Sequence, residues 1–251
     1  YTDLVLEPNS SKSISWKTFG VAGSNKARLE VSSMPSINFN GRLQYLIQYP
    51  HGCVEQTTSS VFPQLYLNDI ADIDANRKAL IQKNVTAGIT RLGSFQLANG
   101  GMSYWQGDTS ADDWGSSYAG HFLLEAEKKG YVLPINFKQK WISYQQKEAK
   151  KWRFEAKYGN DFAQAYRLYT LALAGSPDLS SMNRLRETSG ISNESKLRLA
   201  AAYVLAGQKQ AGMALLLKSK IDEDYNDNYS YYYYGSSDRN RAMALETLIL
   251  L

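Results

Sequence analysis

The single cysteine of the chain, Cys53, stands three positions before Gln56 in the run YPHGCVEQTTS. At a helix start, residues i and i+3 are surface neighbours, so the two side chains can meet. A cysteine sulfur is a nucleophile, and a carboxamide carbon is an electrophile. Attack with loss of ammonia closes a ring through Val54 and Glu55 and leaves an internal thioester. Such a bond is an activated acyl group: an incoming amine or hydroxyl takes it, and Cys53 returns to a thiol. Gly52 has no side chain to obstruct the backbone beside that ring. A cysteine and a glutamine three apart also occur with the cysteine as a small buried hydrophobe. Taken alone, the two residues leave both readings open.

The neighbours of the pair have two readings each. Tyr49, four residues before Cys53, either folds over the bond and keeps water from it or is a core tyrosine at a turn between helices. Pro50 pushes Tyr49 out of helical geometry. His51 is placed to act as a general base toward a nucleophile, or is a turn residue whose ring points elsewhere. Glu55 lies near a helix start, where a carboxylate is favourable, and the residue types assign it no chemical role. The serines and threonines at 57–60 suit local hydrogen bonds or a polar helix surface.

Helical periodicity runs through most of the chain. The segment NFNGRLQYLIQ places Leu43, Leu46 and Ile47 on one face, and CVEQTTSSVFPQLYLND follows, broken or kinked near Pro63. The next helix has Asp74 as its N-cap and Ala79, Leu80, Val85, Ile89 and Leu92 as its buried stripe. A Gly- and Asp-rich loop comes next. The WGSSYAGHFLLEAEKKG helix then ends at Gly130. Further helices recur to the end, with YTLALAG and AAYVLAG as a weak internal repeat. Repeated helix pairs on short loops build a solenoid or a ring. The opening differs: Leu29 and Val31 alternate with Arg28 and Glu30, a strand-like period. The expected division is therefore a β-like segment over 1–35 and an all-α domain over 36–251.

Composition excludes several classes. Apolar residues at 43% of 251 can bury a core, and the 28 Lys and Arg form no basic stripe that would read as a nucleic-acid surface. No apolar run is long enough to span a bilayer. Asp108, Asp112 and Asp113 lack the dense spacing of a calcium site, so neither a metal nor a cofactor is expected. The chain opens without Met and stops within an apolar run, which reads as a piece of a longer protein. The tyrosines at 231–234 suit a lid or a domain interface.

The wider string resembles a known motif. GCVEQ matches the Gly-Cys-X-Glu-Gln thioester signature of the α-2-macroglobulin and complement family, and YPHGCVEQTTS is most similar to its bacterial branch. The later stretch GGMSYWQGDTSADDWGSSYAGHFLLEAEKKGYVLP resembles the segment after the thioester in bacterial members, and YGSSDRNRAMALETL resembles a further bacterial pattern in which Asn240 replaces the usual Asp. The resemblance covers roughly residue 29 to the end. It implies an α/α toroid of paired helices, a thioester between Cys53 and Gln56 within the motif set by Gly52 and Glu55, and Tyr49 as its aromatic shield. It also implies covalent trapping of proteases through their lysine amines after a bait is cut elsewhere in a larger chain. By the same resemblance the partners are target proteases and neighbouring domains, and the location is the periplasm or cell envelope, with a lipid anchor outside this segment. The domain is then a single-use reagent and not a turnover enzyme. The acyl-transfer histidine of some complement members is not carried to His121, which sits in a different segment and reads as a satisfied helix histidine. Two rivals stay open: a toroid enzyme such as a glycosidase, which needs only two facing carboxylates, and an inert helical scaffold.

Overall fold

The computed structural model describes residues 4–21, 23–25, 31, 45–155, 157, 159–219 and 236–251. The chain divides into two compact units, Tyr1–Leu43 and Gln44–Leu251. In the first unit, residues 4–21 are exposed and form no strand. An isolated extended segment has no partner for its amides, and no pairing edge exists among the described residues of this unit. Leu29 and its alternating neighbours at 28 and 30, the helix face at Leu43 and the tyrosines at 231–234 lie outside the described residues.

The second unit is helical. Its elements are α1 (Val54–Val61), α2 (Leu67–Ile70), α3 (Ala75–Gly93), α4 (Asp113–Lys128), α5 (Phe137–Lys151), α6 (Asp161–Leu173), α7 (Leu179–Glu187), α8 (Asn193–Leu205), α9 (Lys209–Leu216) and α10 (Ser237–Leu250). Helices α1, α4, α6, α8 and α10 pack successively on one another. Helix α3 lies outside α1, α5 outside α4 and α6, α7 outside α6 and α8, and α9 outside α8. This alternation of inner and outer helices is the α/α toroid pattern.

Composition explains the two rows. Along α6 every residue from Asp161 to Ala172 is buried, and along α8 the run Leu197–Val204 is buried. Helices apolar or small all round belong in an interior. Ala200, Ala201 and Ala202 let α8 approach its neighbours closely, and each buried leucine there contributes about 1.5–3 kcal/mol. The outer α5 instead buries Phe137, Trp141, Tyr144, Gln145 and Ala149, an i, i+4 stripe. Trp141 lies flat on Gly120 of α4, where an added Cβ would meet the indole at 2.3 Å, and it donates to the Ser116 carbonyl at 2.7 Å.

Around the N-terminal end of this unit the local rules hold with one change of phase. Helix α1 stops at Val61, and Pro63 opens a 3-10 turn. Asp74 caps α3 by accepting from the Arg77 amide at 2.9 Å. The buried stripe of α3 is Ile81, Val85, Gly88, Ile89 and Leu92 with Asn84, whereas Ala79 and Leu80 are exposed. The stripe is set by α1: Gly88 receives Val61, whose methyls would lie 2.9 Å from an added Cβ. That contact puts Ile81, two turns before Gly88, on the inner face, and Leu80 falls about 100° away.

Candidate functional site

The reactive turn is built by α1 and the residues just before it. Gly52 has φ +80°, a conformation that costs an L side chain strain, and a Cβ on it would lie 2.0 Å from Gln56 Oε1. Only glycine lets the Gln56 side chain fold back here. Cys53 is the N-cap residue, with extended backbone, and Gln56 is the third helical residue. They form a reciprocal capping box: the Gln56 amide N–H donates to Cys53 Sγ at 3.4 Å, and the Cys53 N–H donates to Gln56 Oε1 at 3.1 Å.

This geometry sets up acyl chemistry. The two side chains cross over the first turn, and the Cys53 N–H points at the oxygen where negative charge develops when the carboxamide carbon is attacked. Cys53 is buried and Gln56 exposed, so the sulfur is sheltered while the acyl group faces outward.

Two outside contacts hold the turn. Arg91, from α3, donates through Nη2 to the Gly52 carbonyl at 2.7 Å and through Nε to Thr57 Oγ1 at 3.2 Å. The Thr57 hydroxyl in turn donates to the His51 carbonyl at 3.3 Å. The Val54 N–H donates to the Tyr104 carbonyl at 3.0 Å. Tyr104 is delivered by the Gly-rich loop between α3 and α4, which is tied by bridges between Gln96 and Met102 and between Ser103 and Ala111. The aspartates of that region serve structure. Asp108 accepts from the Trp105 N–H, Asp112 caps α4 through the Gly115 N–H, and Asp113 pairs with buried Arg167.

Two hollows flank the turn. One, of about 300 Å³, is lined by His51, Glu55, Gln56, Ser59 and Ser60 with Tyr45 at its rim. The other holds Tyr49 with Pro50, Lys83, Thr90 and Arg91 against α3. Tyr49 is 61% exposed there. Glu55 is bonded within α1: Ser59 Oγ donates to its carboxylate at 2.6 Å, and Ser59 Oγ lies 3.2 Å from the Tyr118 hydroxyl on α4. The structure thus gathers His51, Glu55 and Gln56 on one hollow, keeps Gly52 and Cys53 in the turn itself, and places Tyr49 on the other hollow. Arg91, Tyr104 and Tyr118 were not legible as site residues. Each reaches the turn from a separate element, 34 or more positions away for Arg91 to Thr57 and 59 for Tyr118 to Ser59.

The sequence model described as A-macroglobulin TED domain matches residues 28–164. The chain belongs to this family of α-macroglobulin thioester domains. The α-2-macroglobulin of Escherichia coli K12 is 27% identical over 241 residues, covering 89% of this chain and 14% of that protein. That of Xylella fastidiosa Temecula1 is 28% identical over 233 residues, covering 87% and 14%. Among solved structures, native E. coli α-2-macroglobulin from domain MG7 to the C-terminus superposes with a TM-score of 0.69 at 25% identity, over 84% of this chain and 35% of that one. Salmonella α-2-macroglobulin reacted with methylamine gives a TM-score of 0.68 at 25% identity, over 85% and 15%. The chain therefore spans about a seventh of the length of the curated relatives it matches.

In this TED domain the inner helices meet in a second polar cluster, apart from the turn. His121 of α4 is partly buried, with Nδ1 3.0 Å from the Tyr166 hydroxyl and its ring edge-on to Phe62 at 5.0 Å. Burial, then the Arg198 charge, lowers its pKa to about 4, so it is neutral near pH 7. Arg198 of α8 stacks on Tyr169 at 4.3 Å and pairs with Glu246 of α10 at 2.6 Å, and Tyr169 donates to the same carboxylate at 2.7 Å. Burial alone would raise the Glu246 pKa, but Arg198 and the hydrogen bonds hold it below the usual range. Asn240 donates to Glu194 at 3.0 Å. An aspartate there would set two carboxylates together, which fits the departure from the bacterial pattern.

Proposed function

We propose that Cys53 and Gln56 form an internal thioester, and that the protein uses it to bind proteases covalently through their lysine amines. The observation that carries this reading is the reciprocal cap that crosses the two side chains beside a left-handed Gly52. The A-macroglobulin family is one of protease inhibitors and not of turnover enzymes, and a relative with this fold has been crystallised after reaction with methylamine. In this reading Tyr49 becomes the shield by swinging its exposed ring from the α3 hollow to the Gln56 side. Residues 1–35 belong to an adjoining domain, the partners are proteases and neighbouring domains of a larger chain, and the protein works in the periplasm or cell envelope. Among the described residues no helix is long and apolar enough to cross a membrane.

The enzyme reading finds no support at the toroid centre, where His121, Tyr166 and Tyr169 are packed against one another and Arg198 is paired with Glu246. The scaffold reading accounts for the Gln56 cap as a helix start, but it gives no use to the Gly-Cys-X-Glu-Gln string that carries the resemblance.

The test is the mass of the complete gene product. A formed thioester makes the chain lighter by one ammonia, and methylamine then adds at Gln56 and releases one thiol. Full mass with no amine uptake in freshly isolated protein overturns the reading.

A further inference from the structure

We propose that Glu55 is the docking group for the attacking nucleophile, so that the site favours cationic amines over neutral nucleophiles. The inference rests on the thioester reading above and names the residue that gives it chemical selectivity.

Glu55 and Gln56 line the same hollow, and among the described residues none that lines it is a lysine or arginine. Among the described residues the formal charge on its wall is therefore the Glu55 carboxylate, with His51 and Tyr45 as the other titratable groups. A concave site of one sign concentrates ions of the other. A lysine ammonium entering here meets a carboxylate beside the acyl carbon, whereas a hydroxyl gains no comparable attraction.

The carboxylate is also held in place. Ser59 has one hydroxyl proton and gives it to Glu55 at 2.6 Å, so across the 3.2 Å contact the Tyr118 hydroxyl is the donor to Ser59. Burial raises the Tyr118 pKa, which keeps that donor protonated. The chain Tyr118 to Ser59 to Glu55 runs from the inner helix α4 to α1 and occupies one carboxylate oxygen, leaving the other for the ligand. A pre-oriented acceptor loses less entropy on binding than a free side chain.

The step balances as follows. The docked ammonium sheds one proton to solvent, and the amine lone pair attacks the Gln56 acyl carbon. The carbon–sulfur bond breaks with its electron pair going to Cys53 Sγ. The nitrogen, now cationic, passes a proton to Glu55 and from there to the sulfur. The products are a substituted amide at Gln56 and a free thiol.

The experiment uses the complete gene product and its Glu55→Gln variant, with thioester content first read by mass. Glutamine keeps the shape and can still accept from Ser59, but has no charge. Coupling is timed with methylamine, a cation at neutral pH, and with hydroxylamine, a nitrogen nucleophile largely uncharged there. The expected result is a roughly tenfold fall for methylamine with hydroxylamine changed less than about threefold, the size of one lost charge-assisted contact. Equal falls for both, or no fall for methylamine, overturn the proposal. If E55Q forms no thioester, Ser59→Ala carries the test. Loss of the anchor lowers the methylamine-to-hydroxylamine ratio, and an unchanged ratio overturns the idea. A wild-type protein without a thioester sinks the underlying reading instead, a different outcome visible before any rate is measured.

Discussion

The turn at residues 51–57 and the cluster around His121 are both polar groups set among helices, but they are built in opposite ways. At the turn the paired groups, Cys53 and Gln56, are three residues apart, and Gln56 is exposed to solvent. Around His121 the partners come from four inner helices, and the ring is enclosed by aromatic neighbours. Exposure is needed where a bond must meet another molecule. Burial is favourable where most polar atoms find partners, because an unpartnered one costs about 1–3 kcal/mol. The first region is thus a helix start that carries its pair in local backbone and is braced by Arg91 and the Tyr104 carbonyl, and the second is a polar cluster that joins the inner helices.

If that contrast is correct, substitutions should separate chemistry from stability. The largest expected effect is at the sulfur. Cys53→Ala should abolish methylamine uptake completely while leaving the melting temperature within a few degrees, since one small buried group is lost. Residual uptake at Gln56 in this variant would break the comparison. Next, Gly52→Ala should sharply lower thioester yield, because its Cβ collides with Gln56 Oε1 and its φ is unfavourable. The strain amounts to about 1–3 kcal/mol, so a chemical denaturation curve should show a modest loss beside a large loss of uptake.

The other region should respond in the reverse sense. Arg198→Met removes the charge from beside Glu246 and the stack on Tyr169. It should cost about 1–2 kcal/mol of unfolding free energy, because Glu246 is partly exposed, with thioester content per folded molecule unchanged. The last effect appears only as the pH is lowered. The His121 pKa is lowered in the folded state to about 4 from 6.5, so the unfolded chain binds more protons between these values. Stability from this residue is fully present above pH 6.5 and is lost as the pH falls toward 4, on the order of 3 kcal/mol across the window. His121→Gln should flatten the pH dependence of the melting temperature in that window. A curve as steep as wild type would show that other groups carry the acid sensitivity.

Much of the fold was legible because it is local. Asp74 as a cap, Pro63 as a break and the Gly-Cys-X-Glu-Gln string at a helix start each depend on residues within one or two turns. The stripe on α3 was displaced toward Leu80 because periodicity gives a repeat but not its absolute phase. Val61 seated on Gly88 sets that phase, and no pattern within α3 contains Val61. The roles of the residues around the turn divide in the same way. Glu55 and Ser59 are one helical turn apart and signal their contact by spacing, yet the Tyr118 hydroxyl that orients them has no local signature.

The sequence by itself determined that the segment is helical and that Cys53 and Gln56 can meet, because capping and i, i+3 spacing act over about one turn. It also carried the family resemblance. Only the tertiary structure decided that Arg91 and the Tyr104 carbonyl brace the turn, that Tyr49 faces the α3 hollow, and that His121 is a partly buried, neutral partner of Tyr166. These contacts join residues from different helices. Their distances follow from how inner and outer rows pack, a property of the summed apolar faces and not of any single stretch of chain.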